Sequence, residues 1–244
     1  MKRYKFEISY DGSSFFGWQR QPKQISVQQA IEEAFTKMNG LIPVPIVGCG
    51  RTDTGVHAKH YVFHVDLEEK LVHGDLKHKL NRMLPPSIAV HQFAETHPDF
   101  HARFDATFRT YRYFIHFEKN PFLVNQSLFF PAKLNVEKMN EAAQFLLGKQ
   151  DFTSLSKLHT DVKTNICTVA KAEWVQVSDS EIYFEIQADR FLRNMVRATV
   201  GTLLAVGEDK LAVSEIPEIL AKKDRGEAKI SVPAQGLFLW EIGY

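Results

Sequence analysis

With 244 residues, 44% hydrophobic and 24% charged, the chain has the make-up of an ordinary globular protein, long enough for one large or two small domains. A net charge of +1 excludes a global basic field, so a nucleic-acid partner would have to be met by a local patch. Cys49 and Cys167 fit no zinc or redox spacing, the first residues lack the apolar stretch of a signal peptide, and no run approaches the roughly 20 apolar residues of a membrane span, so a cytoplasmic protein with two reduced thiols is expected.

Tyr4, Phe6 and Ile8 alternate with Lys5, Glu7 and Ser9, the period of a half-buried strand. YDGSSFFGWQR follows, with Asp11, Gly12 and Gly17 in a turn among aromatic residues, suited to lining an active-site cleft or else a plain loop with Trp18 half-buried. SVQQAIEEAFTKMNG predicts a helix: Val27, Ala30, Ile31, Ala34, Phe35 and Met38 share a face, Ser26 and Gln29 have capping-box spacing, and Gly40 suits the C-terminal cap. VPIVGC predicts a short strand leading into GCGRTDTGVHA (48–58), which has neither helical nor strand period. YVFHVDL alternates again, with Tyr61, Phe63, Val65 and Leu67 to one side; DLKHKLNRML predicts a helix that Pro85 and Pro86 end, and IAVHQFA a further strand.

The later residues resemble this order. TYRYFIHF predicts a strand, NVEKMNEAAQFLLG a helix capped by Asn135 and closed by Gly148, and AKAEWVQV with EIYFEIQA a hairpin around Ser178-Asp179-Ser180. DRFLRNMVRATVGTLLAV predicts one long amphipathic helix with Phe191, Leu192, Met195, Val196, Thr199 and Leu203 inward, and GLFLWEI a last strand. Two copies of a mixed α/β unit follow, with the boundary near HPDFHARFDAT, giving residues 1–104 and 105–244. The glycine pattern of a dinucleotide fold and a Walker A sequence are both absent.

Four places have residues suited to chemistry. Gly48, Gly50 and Gly55 bracket Arg51 and Asp53; a carboxylate beside an arginine stays ionised and suits nucleophilic or electrostatic work, or simply pairs to hold a turn. FHARFDATFRTYRY mixes cations and rings, with Tyr111 and Tyr113 to one side and Arg112 opposite, equipment for stacking bases and gripping phosphates, or else core tyrosines beside solvated arginines. Arg190, Arg193 and Arg197, at i, i+3 and i+7 of the expected helix, form one stripe that suits phosphates, a carboxylate or plain solvent. His57, His60 and His64 would converge on a metal only from a helix, and the alternation there predicts a strand, so no metal site is expected.

Together these segments resemble the tRNA pseudouridine synthase A family, the tRNA pseudouridine(38–40) synthases. YDGSSFFGWQ resembles the family's N-terminal signature and GRTDTGVHA its catalytic motif, usually written GRTDAGVHA; NRMLPPSI, FHARFDATFRTYRY, FLRNMVRATVGTLLAVG and GLFLWEI follow in order. The resemblance implies an α+β fold of two ferredoxin-like halves packed around a central active-site cleft, residues 1–104 carrying the aspartate loop and 105–244 the stacking tyrosine and active-site arginine. It implies conversion of uridine to pseudouridine at positions 38, 39 and 40 in the anticodon stem-loop of tRNA, without cofactor or metal, by a cytoplasmic homodimer with no membrane attachment.

Residue by residue, Asp53 matches the nucleophile, attacking either the uracil ring or the ribose C1′. Tyr111 matches the tyrosine that stacks on the target base and helps remove its C5 proton, Arg197 the basic residue paired with the aspartate, and Arg51 an arginine that holds the flipped nucleotide's place or contacts the RNA. Arg190 and Arg193 are candidate RNA contacts. Three departures stand out: Thr54 where the family usually has alanine, Ala234 where a second proline is common, and VKTNIC as a loose version of VRTI. The rival expectations are an RNA-binding relative without catalysis, a synthase for other uridines, and a hydrolase using Asp53 with a histidine.

Overall fold

The computed structural model describes residues 1–157 and 164–244, so Val162 and Lys163 of the VKTNIC departure lie outside the described residues. In chain order the elements are β1 (Lys2–Tyr10), α1 (Val27–Met38), β2 (Ile46–Gly48), β3 (His57–Leu67), α2 (Glu69–Val72), α3 (Leu76–Met83), β4 (Ile88–Glu95) and β5 (Phe108–His116). They continue with β6 (Leu128–Phe129), α4 (Val136–Gln144), β7 (Gly148–Asp151), β8 (Ile166–Gln176), β9 (Glu181–Ala188), α5 (Met195–Gly207), α6 (Glu215–Lys222) and β10 (Leu237–Gly243). The fold class is α+β. Contacts group the chain into two compact units, Met1–Thr107 with Phe238–Tyr244, and Phe108–Leu237.

In the first unit β1 runs antiparallel to β3 on one side and β4 on the other. Its alternation has a plain cause: Tyr4, Phe6, Ile8 and Tyr10 enter the core while Lys5, Glu7 and Ser9 stay half-buried. Phe6 lies opposite both Phe63 and Phe93, with ring centroids 4.9 and 5.0 Å away, so three strands share one aromatic ladder. Helix α1 buries Val27, Ile31 and Phe35, and Phe35 meets Phe6 edge-on at 5.6 Å. Ser26 accepts from the Gln29 N–H as expected, but the Gln29 side chain turns to Glu33, leaving half a capping box.

Strand β3 departs from simple alternation. Tyr61 to Val65 are buried without a break, because both of its faces are covered. His64, on the second face, accepts from the Ala102 N–H and packs beside Phe100 and His101. The last strand also differs from its place in the sequence. Phe238 and Leu239 of β10 pair in parallel with His57 and Ala58 of β3, so these residues join the first unit instead of a second half running from 105 to 244. Chain position does not reveal a strand that returns to an early sheet.

In the second unit the sheet order is β5, β9, β8, β7, all antiparallel, with β6 parallel to β5. Helix α4 packs on β8 and α5. Asn135 caps α4 by accepting from the Lys138 N–H, but the helix ends at Gln144 with Phe145 as its cap; Gly148, at φ +89°, instead opens β7. The long helix expected from Asp189 begins only at Met195. Asn194 sits in the left-handed region at φ +66°, which a continuing right-handed helix does not accommodate. From there α5 is buried on nearly every side, with only Arg197 and Gly201 partly exposed, so it is a central helix and not an amphipathic surface one.

Both cysteines are buried, and burial pushes the Cys167 thiol up to about 12. Among the described residues no helix is long and apolar enough to cross a membrane.

Candidate active site

Asp53 lies in the loop between β2 and β3. The loop leaves β2 with the Cys49 N–H donating to Val62 O at 2.8 Å, and Tyr61 donates its hydroxyl to Gly50 O. The Val56 N–H then donates to Asp53 O at 3.1 Å, closing a turn whose tip is Asp53–Gly55. Arg51 and Thr54 are exposed, Asp53 is half-buried and Thr52 is buried. The threonine that replaces the usual alanine therefore directs its extra atoms outward.

A second loop, Asp11–Trp18, braces the first. The Trp18 N–H donates to Thr52 O, just before Asp53, and the Gly55 N–H donates to Phe15 O, just after it, both at 3.3 Å. Gly17 has φ +79°, and a Cβ there would stand 2.3 Å from Thr52 O. Only glycine fits the backbone of one loop this closely against the other. The Tyr10 and Thr52 hydroxyls are 2.9 Å apart in the core. At the far end the Gly12 N–H donates to His57 Nδ1 at 3.1 Å, and a Cβ on Gly12 would stand 2.0 Å from Val56 O.

Asp11 Oδ1 is 3.3 Å from the same His57 nitrogen. Burial pushes the Asp11 carboxyl up, but hydrogen bonds from the Ser13 hydroxyl and N–H hold it below the usual carboxylate range. Phe238 lies over the His57 ring with centroids 4.4 Å apart. Trp18, half-buried on the plain-loop alternative, is instead 2% exposed and stacks on Tyr61 at 4.0 Å, so the core covers its ring.

In the second unit the two tyrosines of β5 divide their roles. Tyr113 is fully buried and donates its hydroxyl to Pro233 O at 2.8 Å; burial holds its phenol well above the usual range, only partly offset by the Arg197 charge. Tyr111 is half-buried and meets Phe191 edge-on at 5.0 Å. Arg112, on the opposite face, pairs with Glu185, which also binds Lys171, and stacks over the Tyr183 ring at 4.5 Å.

Arg197 sits in the first turn of α5 and donates from Nε to Val232 O at 2.7 Å. Arg190 and Arg193 precede the helix, so the expected three-arginine stripe does not form. Arg190 is half-buried, its N–H donating to Asp189 Oδ1, which also accepts from the Thr168 N–H; Arg193 is exposed, its carbonyl accepting from the Lys157 N–H at 2.9 Å. Among the described residues no three His, Cys, Asp or Glu side chains gather where they could hold a metal. The sequence did not single out Tyr10, and it weighed His57 as a metal ligand and Gly17 as a turn residue. Their positions inside the family-like segments YDGSSFFGWQ and GRTDTGVHA were the one available signal.

A family model described as tRNA pseudouridine synthase matches residues 8–105 and 142–244. Among individual relatives, the chain is 50% identical to tRNA pseudouridine synthase A of Parabacteroides distasonis over 249 aligned residues, covering 100% of this chain and 96% of that protein. It is 47% identical to tRNA pseudouridine synthase A of Bacteroides thetaiotaomicron, covering 100% of this chain and 91% of the other, and 40% identical to that of Bacillus pumilus, covering 99% of each. The chain belongs to the tRNA pseudouridine synthase family, whose members are isomerases.

Proposed function

We propose that this protein converts uridine to pseudouridine at positions 38, 39 and 40 in the anticodon stem-loop of tRNA, with Asp53 as the nucleophile and without metal or cofactor. The observation that carries the reading is the half-buried carboxylate of Asp53, presented at the tip of a loop that hydrogen bonds grip on both sides. Preorganised loops of this kind suit a nucleophile, since the reacting atom must be held before substrate arrives.

The reaction is an isomerisation. Asp53 attacks the uracil ring or the ribose C1′, the C1′–N1 bond breaks, the base turns, and a C1′–C5 bond forms. The C5 proton leaves, N1, freed from C1′, gains a proton, and Asp53 is released unchanged. The target nucleotide must leave its stack to be reached. Tyr111 stacks on the detached base and its hydroxyl helps take the C5 proton; the partial exposure of this ring, beside a Tyr113 committed to the core, supports that division. Arg197 pairs with the Asp53 carboxylate, and the hold of Val232 O on its Nε restricts where its guanidinium can reach. Arg51, exposed in the same loop, contacts the RNA where the base has left; Arg190 and Arg193 contact phosphates. The working form is a cytoplasmic homodimer with one tRNA lying across both subunits, and its affinity falls with rising salt as phosphate contacts release counterions.

The test is to incubate unmodified tRNA with the protein and with Asp53→Asn, then map pseudouridine by chemical labelling and reverse-transcription stops. Stops at positions 38 to 40 with the wild type, and turnover reduced by more than about a thousandfold in the variant, are expected. Equal activity of the two proteins removes the nucleophile assignment, and stops elsewhere reassign the substrate position.

A further inference from the structure

We propose that His57 and Tyr10 are positioning residues for Asp53, His57 acting through the backbone of the loop Asp11–Trp18 and Tyr10 through its hydroxyl contact with Thr52. The proposal rests on the reading of Asp53 as nucleophile. The two hydrogen bonds that flank Asp53, Trp18 N–H to Thr52 O and Gly55 N–H to Phe15 O, are each 3.3 Å long. That is beyond the usual range for an N–H···O bond, so neither bond alone fixes the loop strongly. Two shorter, buried contacts hold the loops as well, one on each loop. One is Gly12 N–H to His57 Nδ1 at 3.1 Å, with the imidazole 1% exposed and covered by Phe238. The other is Tyr10 hydroxyl to Thr52 hydroxyl at 2.9 Å, one residue before the nucleophile.

His57, the first residue of β3, follows the Asp53 loop in the chain, and Tyr10, the last residue of β1, precedes the bracing loop, so each pin ties the strand end adjoining one loop to the other loop. Gly12 N–H needs an acceptor at Nδ1, which the neutral imidazole supplies. Slackening either pin lets the Thr52–Gly55 turn shift by a fraction of an ångström without unfolding the sheet. A nucleophile is sensitive to displacements of that size, and a ground-state RNA complex is much less so.

The experiment measures single-turnover pseudouridine formation at saturating tRNA transcript, with tRNA affinity by filter binding and thermal melting alongside, for Tyr10→Phe, His57→Leu, His57→Asn and Asp53→Asn. The expected single-turnover rate falls about tenfold in Tyr10→Phe and about a hundredfold in His57→Leu, with tRNA Kd within about twofold of wild type. His57→Asn recovers most of the rate, because its side-chain oxygen can accept from Gly12 N–H near the place of Nδ1. A purely structural role would lower affinity and melting temperature together with the rate and would show no rescue by asparagine.

A Tyr10→Phe rate within about twofold of wild type overturns the proposal, as does His57→Asn being no faster than His57→Leu when both melt like wild type. If His57→Leu fails to fold, Tyr10→Phe, which removes a single oxygen, decides. An inactive Asp53→Asn beside pin variants of full rate overturns this proposal alone; an active Asp53→Asn overturns the nucleophile reading beneath it as well.

Discussion

The loop before β3 and the first turn of α5 hold their functional candidates by different means. Asp53 is set by hydrogen bonds from a neighbouring loop, two of them long, with glycine at the closest approach. Arg197 is set by a helix buried on almost every side and by one short bond from its Nε to Val232 O. In the first region geometry can be lost before stability. In the second, stability must be lost first, because displacing the arginine means displacing a core helix. The two candidates thus carry separate vulnerabilities.

That contrast can be broken at several points. The largest stability effect is expected from Leu203→Ala in α5, where the side chain is 1% exposed: about 3 kcal/mol lost in urea unfolding, with turnover per folded molecule nearly unchanged. Gly17→Ala is expected to cost about 2 kcal/mol by the same measurement, from a strained φ and a clash with Thr52 O, and to depress single-turnover rate far more than Leu203→Ala does. Equal rate losses in the two variants would erase the distinction.

Acid should act on the first unit next. Burial, followed by the Arg3 and His101 charges, draws His64 down to about 4, against weaker pulls from Asp66 and Asp105. The unfolded chain, with a histidine near its ordinary value, binds a proton that the folded one rejects. The resulting stability is whole above pH 6.5 and drains away as pH falls toward 4, by on the order of 2 kcal/mol. Hydrogen exchange should quicken in β3 before β9 over that interval, and His64→Gln should flatten the dependence.

The smallest effect is expected at the paired tyrosines. Tyr113→Phe leaves Pro233 O without its donor and costs about 1 kcal/mol, whereas Tyr111→Phe leaves stability within about 0.5 kcal/mol and lowers turnover with tRNA binding retained. A Tyr111→Phe enzyme with full turnover would deny the hydroxyl any part in removing the C5 proton.

What the sequence made legible was local. The alternation in β1, the face of α1, the caps at Ser26 and Asn135 and the breaks at Pro85 and Pro86 all depend on residues a few positions apart. The misplaced start of α5 has a local explanation too: Phe191 and Leu192 continue the apolar period of the helix, and only the left-handed turn at Asn194 interrupts it. The unbroken burial of Tyr61–Val65 and the full burial of Trp18 come from tertiary cover, which periodicity does not encode. Asp53, Tyr111 and Arg197 stand out in the sequence as candidates because their side chains carry chemistry and sit in recognisable segments. The brace does not, since backbone groups binding backbone groups leave no signature in residue type.

One feature of the topology bears on how the molecule is made. The first unit is discontinuous: Phe238–Tyr244 complete it after the whole of Phe108–Leu237 has intervened. A chain emerging from the ribosome would expose the Asp53 loop early, yet Phe238, whose ring covers His57, would arrive only after the second unit had been synthesised. The Asp53 loop is written near the beginning of the message and its surroundings are finished near the end, so an interrupted product would bear that loop without the ring that covers His57.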